Sequence, residues 1–303
     1  MSTLRFVQPS RRQLWWAALK PPMYSVAIVP IMVGTALAFA ETQQLDWSIF
    51  LVFLGSAILI IAWMNLSNDV FDAETGIDKN KAHSVVNLTG KKDLVFWLSS
   101  VCLSLGLLGI LVIATRSGDW RVGGMIAIAC ILGYTYQGPP FRLGYLGLGE
   151  LICFVTFGPL AITAAYYSQA ASLPLAAGLV ATIIGLSTAL ILFCSHFHQV
   201  EDDLAAGKRS PIVRLGTARG AQVLALATGG MFAIAALGVL CQGLPLTSLV
   251  MFASLPIAVE LIRYVQQHHD QPERVRNCKF IAVKLHFWSG MLLALGLAAP
   301  VLI

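Results

Sequence analysis

Apolar residues run along this chain in long stretches, separated by short polar or Gly/Pro-rich breaks such as Glu41-Thr42-Gln43-Gln44 and Gln137-Gly138-Pro139-Pro140. About 20 consecutive apolar residues are what a helix needs to cross ~30 Å of hydrocarbon. The pattern predicts nine transmembrane helices, at about 23–40, 47–68, 94–115, 121–138, 147–168, 174–197, 219–241, 244–262 and 283–302. The expected fold class is therefore an all-α polytopic membrane protein, a helical bundle forming one domain over residues 1–303. Composition agrees: the chain is 57% hydrophobic and 12% charged, where soluble proteins carry about 25% charged residues.

Residues 1–20 read as a basic arm. They hold Arg5, Arg11, Arg12 and Lys20 without the apolar core of a signal peptide, and Leu14, Trp15 and Trp16 suit a membrane surface. The six cysteines stand singly and without zinc-ligand spacing, so they read as small core hydrophobes.

Charge sets an orientation. With the N-terminus on the cytoplasmic side and nine alternating spans, only Arg116 and Arg121 of the 20 lysines and arginines fall outside. That partition follows the positive-inside rule and puts the C-terminus on the opposite face. It also accounts for the net charge of +5 as the basic side of a membrane protein, with no nucleic-acid partner; the partner it implies is the lipid bilayer.

Two acidic clusters then stand out on the inner face. Asp69, Asp72, Glu74 and Asp78 follow the second span, and Glu201, Asp202 and Asp203 follow the sixth; the whole chain has 15 acidic residues. Carboxylates beside hydrocarbon are costly unless something binds them. If the second helix continues to about residue 74, Asn68 and Asp72 share a face, with Asp69 adjoining; Gln199 and Asp203 share one at the end of the sixth. Two such oxygen pairs facing each other can hold two Mg²⁺ ions with a diphosphate between them, since Mg²⁺ takes few protein carboxylates and completes its shell with phosphate and water. Lys79, Lys81, Lys208, Arg209 and Arg142 are placed to meet diphosphate oxygens, and an apolar cavity beneath would take an isoprenoid tail.

Blander readings stand beside these. Each acidic loop can be solvated surface, and Lys91 and Lys92 can be topology charges. His196 and His198 can support a site or simply pack. Glu150 reads as a helix-start acid, and His83 as a phosphate contact or a surface residue. A secondary transporter would bind near the bilayer midplane, where only Glu150 and Glu260 offer acids. A non-catalytic assembly subunit would not bind prenyl diphosphate with Mg²⁺.

Asn68-Asp69-Val70-Phe71-Asp72 with a downstream acid, a second acidic motif about 130 residues on, and the nine spans together resemble the UbiA superfamily of intramembrane prenyltransferases over nearly the whole chain. Residues 65–78, 83–90 and 196–209 look most similar to the branch that prenylates 1,4-dihydroxy-2-naphthoate, and within it to the phylloquinone-type phytyltransferases. The resemblance implies a UbiA-type bundle that uses two diphosphate-bridged Mg²⁺ ions to ionise phytyl diphosphate. The naphthoate ring attacks the allylic cation and loses its carboxylate as CO₂, giving a demethylated phylloquinone precursor. A plasma or thylakoid membrane of a photosynthetic cell is implied. Carried onto this chain, Asn68, Asp72 and Asp78 hold one ion, Gln199 and Asp203 the other, and Asp69 and Glu201 support them. Asn68, Asp72 and Asp203 are the catalytic set; Lys79, Lys81, His83, Tyr136, Arg142, His198, Lys208 and Arg209 face substrate. Three positions depart from the family pattern. Gly76 stands where a further Asp is usual, with Asp78 two residues on. Gln199 replaces the first Asp of the second motif, leaving Glu201 or Asp202 to complete that site. Pro140 replaces a Lys after Tyr136, leaving Arg142 to substitute. Another member of the superfamily, acting on a different aromatic or a chlorophyll precursor, is the nearest alternative.

Overall fold

The computed structural model describes residues 10–75, 84–172 and 174–302. All regular elements among them are helical. The order is α1 (Arg11–Leu19), α2 (Ser25–Thr42), α3 (Trp47–Thr75), a short α4 (Val85–Thr89), α5 (Lys92–Ser117) and α6 (Arg121–Gln137). Then α7 (Gly149–Val155) runs through a π-helical turn, Thr156–Leu160, into α8 (Ala161–Ala170). After α9 (Leu175–His196) come the short α10 (Val200–Ala205) and α11 (Pro211–Leu215), then α12 (Thr217–Leu240). A 3-10 stretch, Leu246–Ser254, leads into α13 (Leu255–His268), followed by α14 (Pro272–Val275) and α15 (Cys278–Leu302).

Eight helical stretches among the described residues are long and apolar enough to cross a membrane. They take in every expected span except 121–138, which is α6. At 17 residues and about 1.5 Å per residue, α6 reaches roughly 25 Å, short of a ~30 Å hydrocarbon layer. The chain is an integral, multi-pass membrane protein. α5 shows why: Trp97, Leu108 and Leu111 are exposed along it, a surface that is stable only against lipid. Its inner side packs on α3, where Gly106 and Gly109 let the helices approach across Ser56 and Ile60.

α9 is the central helix, touching α2, α7, α8, α12 and α15. A deeply buried polar crossing to α15 is satisfied: His286 Nδ1 shares a 2.8 Å hydrogen bond with Ser187 Oγ, and His286 Nε2 lies 3.3 Å from the Ser25 carbonyl. The π-helical turn follows from Pro159, which has no N–H for the α-helical ladder. Beside it Gly158 lies against the backbone of Ala181 and Gly185, so the turn is pressed onto α9.

The described part of the arm, residues 10–20, docks on the helical body. α1 starts with a Ser10–Gln13 capping box. Ala18 then packs against Val70, Val85, Val86 and Val95, fixing α1 over the C-terminal end of α3.

Candidate functional site

The first acidic motif rides on α3, which does continue past residue 68 to Thr75. Asn68 and Asp72 are thus one turn apart on a continuous helix, with Asp72 buried. Asp69 does something other than the expected support of a metal. One of its carboxylate oxygens accepts the Lys20 ammonium at 2.9 Å and the other accepts the Val85 N–H at 2.8 Å. At 1% exposure this carboxylate ties the arm and α4 to α3. Asp78, Lys79, Lys81 and His83 lie outside the described residues.

The second motif does not extend the sixth span, as its spacing suggested. α9 tightens and stops: the Phe197 N–H bonds Cys194 and the Gln199 N–H bonds His196, both three residues back. Gln199 then caps a new helix, α10, whose first turn holds Glu201, Asp202 and Asp203. Three acids there favour a separate helix start, because carboxylates are stabilised at a helix N-terminus. Asp203 is turned inward at 2% exposure, while Glu201 and Asp202 are exposed. Lys208 is buried too and its ammonium lies 3.2 Å from one Asp203 oxygen; Arg209 is exposed.

Two tyrosines bring the motifs together. The Tyr145 hydroxyl donates to Thr75 Oγ1, at the end of α3, over 3.3 Å, and the Tyr145 carbonyl accepts the Arg209 N–H at 2.8 Å. Arg214 Nη2 adds a 2.7 Å bond to the Leu146 carbonyl. Tyr136, packed over Gly144 and Gly149, lies within electrostatic reach of Glu150, Asp72 and Asp203 together. Both acidic stretches therefore converge on the C-terminal end of α6.

Among the described residues this meeting point is rich in buried polar atoms without partners: Asn65 Nδ2, Arg142 Nε, Glu150 Oε2, His196 Nε2, His198 Nδ1 and Asp203 Oδ2. Native proteins rarely leave such atoms unmatched, and the usual explanation is a bound group. Arg142 stands in a left-handed backbone conformation with φ 44, strained for a non-glycine residue. His198 is held neutral: burial, then the nearby Lys279 and Arg276, push its imidazole down to about 4.

Directly below lies an apolar cavity bounded by Phe53, Ala57, Ile61, Met64 and Phe157 among others. Met64 is one helical turn from Asn68, so the cavity opens at the first motif. Among the described residues no three His, Cys, Asp or Glu side chains could hold a metal ion by themselves. The donors present, hard oxygens with one unmatched carboxylate oxygen on Asp203, fit a Mg²⁺ ion that takes most of its shell from phosphate and water.

Sequence reasoning missed two features. Glu150, read as a helix-start acid, is in the first turn of α7 but also lies 2.8 Å from His196 Nδ1. Arg276 and Lys279, counted only as topology charges, flank the second motif through His198. The acids that a transporter would need are otherwise engaged, since Glu260 is exposed and pairs with Lys284 at 3.9 Å.

Comparison with known proteins agrees with this geometry. Over 288 residues the chain is 62% identical to the 2-carboxy-1,4-naphthoquinone phytyltransferase of Synechocystis sp., covering 95% of this chain and 94% of that one. It is 43% identical over 295 residues to the chloroplastic 2-carboxy-1,4-naphthoquinone phytyltransferase of Arabidopsis thaliana, covering 95% and 77%. A solved UbiA homolog from Archaeoglobus fulgidus bound to DMAPP and Mg²⁺ shares the fold, with a TM-score of 0.60 at 16% identity over 92% of this chain and 98% of that one. Residues 27–291 match the UbiA prenyltransferase family, and with two acidic motifs meeting over an apolar chamber the chain belongs to that family.

Proposed function

We propose that this protein transfers a phytyl group from phytyl diphosphate to 1,4-dihydroxy-2-naphthoate, with loss of the ring carboxylate as CO₂. The observation that carries the reading is the meeting of Asp72 and Asp203 around Tyr136 at the mouth of the apolar cavity. The names of the Synechocystis and Arabidopsis relatives supply the phytyl group and the naphthoate ring system. Those names give the acceptor as a quinone; its reduced dihydroxy form is the electron-rich ring that an allylic cation needs.

Asn68, Asp72 and Asp78 would hold one Mg²⁺ and Gln199 and Asp203 a second. Bound there, Mg²⁺ would supply positive charge to offset that growing on the departing diphosphate. Arg142, Lys208 and Arg209, with Lys79 and Lys81, grip the same oxygens. The phytyl tail fills the cavity, whose Phe53, Ile61 and Phe157 walls keep water from the cation. The allylic C–O bond breaks with its electron pair going to diphosphate. A ring carbon forms the new C–C bond, and the carboxylate leaves as CO₂, returning its pair to the ring. The remaining frame is a single domain of nine spans with a cytoplasmic N-terminus, α6 completing the count, in a plasma or thylakoid membrane.

Purified protein with Mg²⁺, 1,4-dihydroxy-2-naphthoate and competing phytyl, geranylgeranyl and octaprenyl diphosphates tests this by mass spectrometry of the products. The expected result is a decarboxylated phytyl adduct, absent when Mg²⁺ is chelated. An adduct that keeps the carboxylate, or none with any diphosphate, overturns the reading.

A further inference from the structure

We propose that Glu150 and His196 form the dock for the free hydroxyl of the acceptor ring, the one para to the ring hydroxyl that neighbours the carboxylate. The proposal rests on the naphthoate reading above and names the residues that would recognise the ring. Glu150 stands in the first turn of α7, where a carboxylate is favoured by the helix terminus. His196 closes α9 at 2% exposure. Glu150 Oε1 and His196 Nδ1 lie 2.8 Å apart. A carboxylate on Nδ1 holds that nitrogen as the donor and leaves the lone pair on Nε2.

Both outer atoms of this pair, His196 Nε2 and Glu150 Oε2, are buried without a partner among the described residues. Each is an acceptor, so what is missing is a donor. Tyr136 is within electrostatic reach of Glu150, Asp72 and Asp203 alike, which puts the pair at the same end of the bundle as both acidic motifs. The attacking ring must stand within contact of the allylic carbon next to that diphosphate. In 1,4-dihydroxy-2-naphthoate the hydroxyl beside the carboxylate donates internally to it. The other hydroxyl is the donor left for the protein. His196 Nε2 accepts it, and Glu150 acts as a positioning residue for His196.

Kinetics with two ligands test this. 1-Hydroxy-2-naphthoate lacks the free hydroxyl and serves as a competitive inhibitor. In the unaltered protein its Ki should exceed the KM for the dihydroxy acceptor by about tenfold or more, the loss expected when a buried acceptor is left without its hydrogen bond. His196→Phe should raise the acceptor KM by about tenfold, leave the inhibitor Ki unchanged and keep the phytyl diphosphate KM within twofold. Glu150→Leu should behave like His196→Phe, whereas Glu150→Gln, whose amide oxygen still accepts from Nδ1, should keep most of the discrimination. A thermal melt confirms that each variant is folded; if His196→Phe is not, Glu150→Leu and Glu150→Gln carry the comparison. Equal rises in both KM values, or discrimination that survives His196→Phe or Glu150→Leu, would overturn the assignment. Failure of the unaltered protein to phytylate the naphthoate at all would instead sink the function proposed above.

Discussion

Asp203 receives the Lys208 ammonium at 3.2 Å through one carboxylate oxygen, and its other oxygen is buried without a hydrogen-bond partner among the described residues. The loop that makes this pair is closed again by the backbone, where the Lys208 N–H donates to the Asp203 carbonyl at 2.7 Å. Lysine therefore neutralises the site before substrate arrives without using all of the carboxylate. Removing either partner leaves a buried charge alone, which costs about 3–5 kcal/mol. Asp203→Ala and Lys208→Met should each lower the melting temperature in detergent, and Asp203→Ala should also abolish most turnover. The double variant Asp203→Asn/Lys208→Gln should recover stability and stay inactive. Recovery of both together would remove Asp203 from the site.

Asp69 and Asp72 are neighbours in sequence with different work to do. Asp69 has both oxygens engaged, by Lys20 and by the Val85 N–H, and it is the more deeply buried. Asp69→Ala should destabilise the protein by about 3 kcal/mol, free the arm Arg11–Leu19 for proteolysis, and leave the Mg²⁺ concentration for half-maximal activity nearly unchanged. Asp72→Ala should instead lose most turnover and leave the arm Arg11–Leu19 as resistant to proteolysis as in the unaltered protein. Limited proteolysis and a Mg²⁺ titration on both variants separate the roles.

The bundle was legible because apolar runs are a one-dimensional signal: no soluble arrangement buries stretches as long as Lys92–Ser117. Asn68 and Asp72 were legible for a related reason, since helical spacing fixes which side chains share a face. The break before Gln199 was hidden, because the run ending at His196 gives no proline or glycine to stop it; the 3-10 closure and the acids of α10 stop it instead. The Glu150–His196 contact joins residues 46 apart in sequence, and only the packing of α7 on α9 brings them together. The double use of Asp69 was equally invisible, since an acid that holds a lysine and one that holds a metal look alike in sequence.

Asp46 gives a pH-dependent term away from the site. Its Oδ1 accepts the N–H groups of Ser48 and Ile49 and the Ser48 hydroxyl, capping α3. The Ser48 hydroxyl, then the Ile49 N–H, hold this carboxylate below the usual range. A carboxylate lowered in the folded state stabilises fully above its unfolded value of about 3.9 and loses that contribution as pH falls through the folded one. Asp46→Ala should therefore cost about 1 kcal/mol at pH 7, and the gap from the unaltered protein should close as melts are taken from pH 5 toward pH 3. A gap that stays constant over that range would rule out the charged cap.

Gly158 tests whether the turn beside the chamber needs its close seat on α9. A Cβ at this position would fall on the carbonyl of Ala181 and 2.8 Å from the Cα of Gly185. Both obstacles are backbone, so no side chain can rotate out of the way. Two helices without a hydrophobic drive to associate in lipid depend on such close contact. Gly158→Ala should cost about 1–3 kcal/mol through overpacking. Because Thr156 and Phe157 line the cavity, the displaced turn should also raise the KM for phytyl diphosphate more than the KM for the naphthoate. Gly178→Ala on the same α9 offers a control: nothing lies within 4 Å of its new Cβ, and alanine is the better helix former by about 1 kcal/mol. If the two alanines melt alike and bind phytyl diphosphate alike, the seat of the turn does not shape the chamber.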